Sequence, residues 1–221
     1  MKMKQIVACA AVLAASSVAA PAFAGATGNV GVFSDYVFRG ITQTGGAPAV
    51  QGGLDYSSDI GLYAGTWISN VDFGTPANYE TDIYGGYSGK AGDFGYDVGA
   101  IYYYYRGDNP TNTTEFYVGG SFDIVSAKFY YSPNLFSSDQ SGMYLTSSVA
   151  FPLSDTLALT PQVGYSFGDF YDSSKEIIDY SLTLAKTLES GFTFSFGLTA
   201  TDRDGTNDET LVLGLKKSFG L

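Results

Sequence analysis

The chain has 221 residues, of which 22 are acidic, 11 are Lys or Arg and none is His. A formal charge of −11 argues against a nucleic-acid partner, whose phosphates demand a basic surface. Without histidine, histidine-dependent triads and histidine-ligated metal sites are excluded, and the single cysteine, Cys9, lies in the leader that opens the chain.

Lys2 and Lys4, the apolar run from Ile6 to Ala20 and the small-x-small site Ala22-Phe23-Ala24 predict a secretory signal peptide over residues 1–24. Cleavage there leaves one domain, residues 25–221, with 9 basic and 22 acidic residues and no cysteine. No later segment has ~18 consecutive apolar residues, so no membrane-spanning helix is expected. Yet 18 Tyr, 16 Phe and 28 Gly suit strands that face lipid.

From Gly25 onward the sequence alternates with a period of two, the signature of strands with one apolar and one polar face. The first predicted strand, about Asn29 to Arg39, sets Val30, Val32, Tyr36 and Phe38 against Asp35 and Arg39. Pro48 to Ser57 sets Val50, Leu54 and Tyr56 against Gln51 and Asp55, and Tyr79 to Ser88 sets Tyr79, Ile83 and Tyr87 against Glu80 and Asp82. Between these two, Ile60 to Asn70 tolerates lipid on either face. The longest alternating pair follows, with Phe94, Val98, Tyr102 and Tyr104 opposite Asp97, and Phe116 and Val118 opposite Glu115. Six further strands follow, near 124–132, 143–151, 157–167, 178–186, 192–200 and 210–221. Lys128 and Asp179 fall on their polar faces.

Short links alternate strictly with long ones rich in Gly, Pro, Asn and Asp. Ser57-Ser58-Asp59, Gly89 to Gly92 and Glu189-Ser190 are short; Ile41 to Ala47, Val71 to Asn78 and Arg106 to Thr113 are long. The pattern predicts an all-β fold: a transmembrane antiparallel up-and-down β-barrel of 12 strands. A soluble sandwich would need a second sheet over its apolar face, and its crossovers would scramble the loop alternation.

Two phrases go further. Ser34-Asp-Tyr-Val-Phe-Arg-Gly-Ile-Thr-Gln-Thr44 followed by Ala49-Val-Gln-Gly-Gly-Leu-Asp-Tyr56 resembles the opening of the TorF family of proteobacterial porins, and Tyr63-Ala-Gly-Thr-Trp-Ile-Ser-Asn70 is similar to that family's third strand. Asp82 to Tyr87, Asp97 to Tyr105 and Thr113 to Tyr117 continue the resemblance, which covers roughly the first half of the domain. It implies an outer-membrane barrel with a pore role and names no solute.

The residues that could carry function are those of the polar faces. Parity sends Asp35, Arg39, Asp55, Glu80, Asp82, Asp97, Glu115, Lys128 and Asp179 into the lumen. Asp35, Arg39 and Asp55 read either as a constriction that filters solutes by charge or as a salt-bridge network bracing the wall. Tyr63, Trp67, Tyr103 and Tyr105, with Tyr117 and Tyr130, read either as stacking surfaces or as bulk filler and girdle. Arg106-Gly-Asp108 and the acid-rich loop Asp202 to Glu209 read as solvated outer loops. No catalytic group, metal site or cofactor is expected. The expected partners are outer-membrane lipid, the barrel-assembly machinery and small hydrophilic solutes, and the expected function is a mildly cation-preferring pore. The alternative is a non-conducting structural or surface-interaction barrel, because a lumen of this size is either open or blocked by its tyrosines.

Overall fold

The computed structural model of the protein describes residues 24–107, 112–171, 176–203 and 209–221. Residues 1–23 of the expected signal peptide, the loop acids Asp108, Asp172, Asp204 and Asp208, and most of the Asp202 to Glu209 loop therefore lie outside the described residues. Among the described residues, twelve long strands form one closed ring. They are β1 (Gly25–Phe33), β2 (Ala49–Ser57), β3 (Leu62–Asn70), β4 (Tyr79–Ala91), β5 (Phe94–Tyr105) and β6 (Thr113–Phe122). The second half comprises β7 (Val125–Ser132), β8 (Gly142–Val149), β9 (Leu157–Phe167), β10 (Ile177–Thr187), β11 (Phe192–Thr201) and β12 (Glu209–Gly220).

Each strand pairs antiparallel with its sequence neighbours, and β1 closes the ring on β12 through a ladder from Thr27–Gly220 to Phe33–Gly214. Closure leaves no sheet edge, which a bilayer would penalise by several kcal/mol for each unpaired peptide group. Tight turns such as Gly92-Asp93 and Asp123-Ile124 join strands at one end, and the longer loops emerge at the other.

The alternation settles which face meets what. Val30, Val50, Leu54, Ile68, Ile83, Val98, Phe116, Val118, Leu182, Phe194 and Leu213 lie exposed on the outer wall, a continuous apolar band with no protein partner. The acids Glu80, Asp82, Asp97, Glu115 and Asp179 are buried on the inner wall instead. This is inside-out relative to a soluble barrel, and it is the arrangement lipid requires. β3, ambiguous by sequence, turns Leu62, Ala64 and Ile68 outward and Tyr63, Trp67 and Ser69 inward.

Inward tyrosines recline on the wall because glycines on neighbouring strands leave room for their rings. A Cβ at Gly99 would stand 2.5 Å from the Tyr117 hydroxyl, and one at Gly65 would stand 2.5 Å from the Tyr84 ring. A Cβ at Gly86 would stand 2.5 Å from the Tyr63 hydroxyl and closer still to the Val98 carbonyl oxygen. Tyr63 and Tyr117 thus approach from opposite sides across two adjacent glycine positions, and their hydroxyls meet at 2.6 Å. The ring volume is spent along the wall rather than across the lumen. Gly86→Val is therefore expected to destabilise the barrel by about 1–3 kcal/mol, since the carbonyl cannot yield. Urea unfolding in lipid vesicles measures it; an unchanged midpoint would mean that Tyr63 does not lie on Gly86.

One sequence expectation needs correcting. β1 ends at Phe33, not at Arg39, and residues 34–48 fold back into the barrel from the long-loop end. Val37–Phe38 and Ile41–Thr42 pair as a miniature hairpin whose two turn residues are Arg39 (φ 49) and Gly40 (φ 77). A two-residue turn with both φ values positive matches the twist of its strands, and glycine takes the second position without strain. Asp35 fixes the base of this hairpin, accepting hydrogen bonds of 2.7 Å from both Thr42 Oγ1 and Thr44 Oγ1.

Candidate functional site: the charged lumen

The in-turned hairpin reaches across the long-loop end of the barrel. Tyr36 packs edge-on against Trp67 of β3 (centroids 5.2 Å apart), and Phe38 against Tyr103 of β5 (5.9 Å). On the far side Gly40 abuts β10 and β11: a Cβ there would stand 2.8 Å from Thr201 Cβ and 2.9 Å from Asp179 Cβ. Contacts on both flanks mean that the hairpin spans this level of the lumen.

At its tip Arg39 meets Glu115 of β6 in a two-pronged ion pair, Nη1 to Oε1 at 2.9 Å and Nη2 to Oε2 at 2.7 Å. The Tyr103 hydroxyl donates to the same Oε2 at 3.0 Å. The guanidinium carbon lies 4.1 Å from the Tyr144 ring centroid, 4.6 Å from Phe38 and 5.2 Å from Tyr130. A planar cation between ring faces, with both prongs on one carboxylate, is the strongest form of such a pair.

Deeper in the lumen a second pair repeats the theme with a lysine. Lys128 crosses Gly119 to reach Asp97 Oδ2 at 2.7 Å, and its ammonium lies 4.1 Å from the Tyr117 centroid. The Tyr63 hydroxyl donates to the other oxygen, Oδ1, at 2.6 Å. Asp55 is bound by the Tyr84 hydroxyl. Glu80 and Asp82, neighbours on one face of β4, form no ion pair among the described residues: Tyr36 Oη reaches Glu80 Oε1 at 3.5 Å, while Glu80 Oε2 and Asp82 Oδ1 have no hydrogen-bond partner there. Asp179 receives the Tyr144 hydroxyl at 3.2 Å on Oδ1.

The sequence-derived residues thus all point inward, but their grouping differs from the one expected. Asp35 and Arg39 do not face each other from one strand; Asp35 is spent on its own hairpin and Arg39 pairs with Glu115, 76 residues on. Tyr63, Trp67, Tyr103, Tyr105, Tyr117 and Tyr130 line the inner wall, joined by Tyr84 and Tyr144, and Tyr36 meets them from the hairpin. Two bases were missed: Lys216, paired across the strands with Gly31 and Thr193, and Lys90 at the short-turn rim opposite Gly95. Parity carried the signal for both, since Lys216 alternates with Leu213 and Leu215, and Lys90 shares the face of Glu80 and Asp82. The inward census among the described residues is therefore seven acids (Asp35, Asp55, Glu80, Asp82, Asp97, Glu115, Asp179) against four bases (Arg39, Lys90, Lys128, Lys216).

Comparison with solved structures finds porins. The KdgM porin superposes with a TM-score of 0.60 at 11% identity, covering 88% of this chain and 99% of that one. The NanC porin gives a TM-score of 0.60 at 13% identity, covering 89% and 100%. A further KdgM structure, in complex with disordered oligogalacturonate, matches with the same TM-score of 0.60 and identity of 11%. At these identities the likeness establishes the barrel fold. No curated protein matches. The family described as "Bacterial protein of unknown function (Gcw_chp)" matches residues 17–218; its model carries that name and not TorF. Spanning nearly the whole barrel, this match places the chain in the Gcw_chp family of bacterial proteins.

Proposed function

We propose that the chain is an outer-membrane channel for passive passage of small hydrophilic solutes, with a preference for cations. The short turns then face the periplasm and the longer loops the outside, with lipid around the apolar band and the barrel-assembly machinery inserting it. The observation that carries the reading is the inward census of seven acids against four bases. Carboxylates lining a narrow lumen concentrate cations and repel anions, an effect screened over ~8 Å at physiological salt. Oligogalacturonate, found with the KdgM porin, is a polyanion. A lumen with surplus acid disfavours that class of solute here, so the shared fold does not transfer the ligand.

Reversal potentials across a potassium chloride gradient test the proposal. Cation preference that fades as salt rises is the expected result; anion preference at low salt would refute it. A second reading, a barrel that conducts nothing, is favoured by one observation: the hairpin occupies the long-loop end. Gly40→Val separates the two readings. A side chain there collides with Thr201 and Asp179 on rigid strands, so the hairpin must shift and conductance should rise severalfold. A variant as silent as the wild type would leave the non-conducting reading standing.

A further inference from the structure

Resting on the channel reading, we propose that Glu115, Tyr103, Tyr130 and Tyr144 form a recognition site for solutes bearing a guanidinium group, which Arg39 occupies as an internal stand-in. The geometry is that of a fork rather than of a point charge. Both carboxylate oxygens of Glu115 take a separate guanidinium nitrogen, at 2.9 and 2.7 Å, and the Tyr103 hydroxyl holds the carboxylate in place at 3.0 Å. The wall ring of Tyr144 lies 4.1 Å from the guanidinium carbon and that of Tyr130 5.2 Å from it. Apart from Phe38, which travels with the hairpin, the groups that hold the cation belong to the barrel and remain when the hairpin moves.

The same lumen supplies a contrast. Lys128 touches one oxygen of Asp97, and Tyr63 takes the other, so that site is built for an ammonium and is already filled by the wall itself. Of the two lumen ion pairs among the described residues, the Glu115 site is the one filled from a hairpin tip and not from a strand. The Arg39 backbone φ of 49 is the left-handed conformation that a non-glycine residue adopts at a cost. An incoming guanidinium would take over the ring faces and the fork while relieving that strain. An ammonium would gain the charge but neither the plane nor the second prong.

The test uses full-length wild type, Arg39→Ala and Arg39→Ala/Glu115→Gln, with methylguanidinium and methylammonium chloride as probes. Reversal potentials with one cation on each side of a planar bilayer give their relative permeability, and melting of the same proteins with each cation reads binding without conduction. Arg39→Ala should favour methylguanidinium by about tenfold, the size of a desolvated cation–ring contact, and methylguanidinium alone should raise its melting temperature. Adding Glu115→Gln should erase both effects. Equal permeability and equal melting in Arg39→Ala would overturn the proposal. If no variant conducts but methylguanidinium still stabilises Arg39→Ala selectively, the site stands and the channel reading falls.

Discussion

In the Glu115→Ala variant the in-turned hairpin is expected to leave the barrel, with a red shift of tryptophan emission and a severalfold rise in conductance. The chain has a single tryptophan, Trp67, and it packs against Tyr36 of the hairpin. The outcome follows from comparing magnitudes. A buried arginine stripped of its carboxylate costs about 3–5 kcal/mol if it stays. What the hairpin forfeits by leaving includes the edge contacts of Tyr36 with Trp67 and of Phe38 with Tyr103, about 0.5–1.5 kcal/mol each beyond their burial. The bonds of Asp35 to Thr42 and Thr44 travel with the segment and cost nothing. Burial of Tyr36, Val37 and Phe38 resists departure on a comparable scale, so the size of the emission shift reads the fraction of hairpins that leave. The double variant Arg39→Ala/Glu115→Ala should largely restore the wild-type emission, because no charge is then left buried alone. An unshifted spectrum in the single variant would show that Glu115 does not hold the hairpin.

Val118→Arg is expected to cost the barrel about 2–4 kcal/mol, whereas Ser181→Arg should be nearly neutral. Val118 stands midway along β6, 55% exposed on the outer wall, with Phe116 beside it on the same face. An arginine there must either bury its charge in hydrocarbon or thin the bilayer around it. Ser181 stands midway along β10 on the inner wall, between Asp179 and Thr183, where a cation meets water and acid. Urea titrations of the folded protein in vesicles measure both. Equal costs would mean that the two faces meet the same solvent, and the membrane barrel would fail.

Much of this was legible in the sequence, because a strand between lipid and water leaves a period of two in nearly every residue it contains. The strict alternation of short and long links fixed the number of staves for the same reason: an up-and-down ring has no other way to connect them. The hairpin escaped because its own short strands have that same period. The row of Val30 and Val32 resumes in register at Tyr36 and Phe38, which hides the break that Ser34 on the apolar row and Val37 on the polar row make beyond Phe33. The clue was Arg39-Gly40 between Phe38 and Ile41, a glycine where a tight turn needs one. Lys217 breaks the apolar row of the last strand without entering the lumen. It lies in the lipid-facing row, but near the short turns, where its ammonium reaches the Ser190 carbonyl and lies 4.7 Å from the Phe192 ring centroid. A flexible lysine at that depth stretches to the interface and says nothing about the lumen. The choice between open and blocked was beyond the sequence, since it turns on the in-turned hairpin as well as on tyrosines lying along glycines, and no single strand reveals what its neighbour leaves empty.

The seam between β1 and β12 bears on how the molecule comes into being. Its ladder ties together segments nearly the whole chain apart; at its end the Leu213 amide donates to the Ser34 hydroxyl across 179 residues. Every other junction in the ring is between sequence neighbours and needs only a local hairpin to form. The last junction cannot. Until β12 emerges, β1 and β11 each present a row of unpaired amides and carbonyls, and an incomplete ring is a template for joining other chains. Completion is thus all-or-none with respect to chain length. A chain cut anywhere before Glu209 can form only an open sheet, whose edges lipid would penalise.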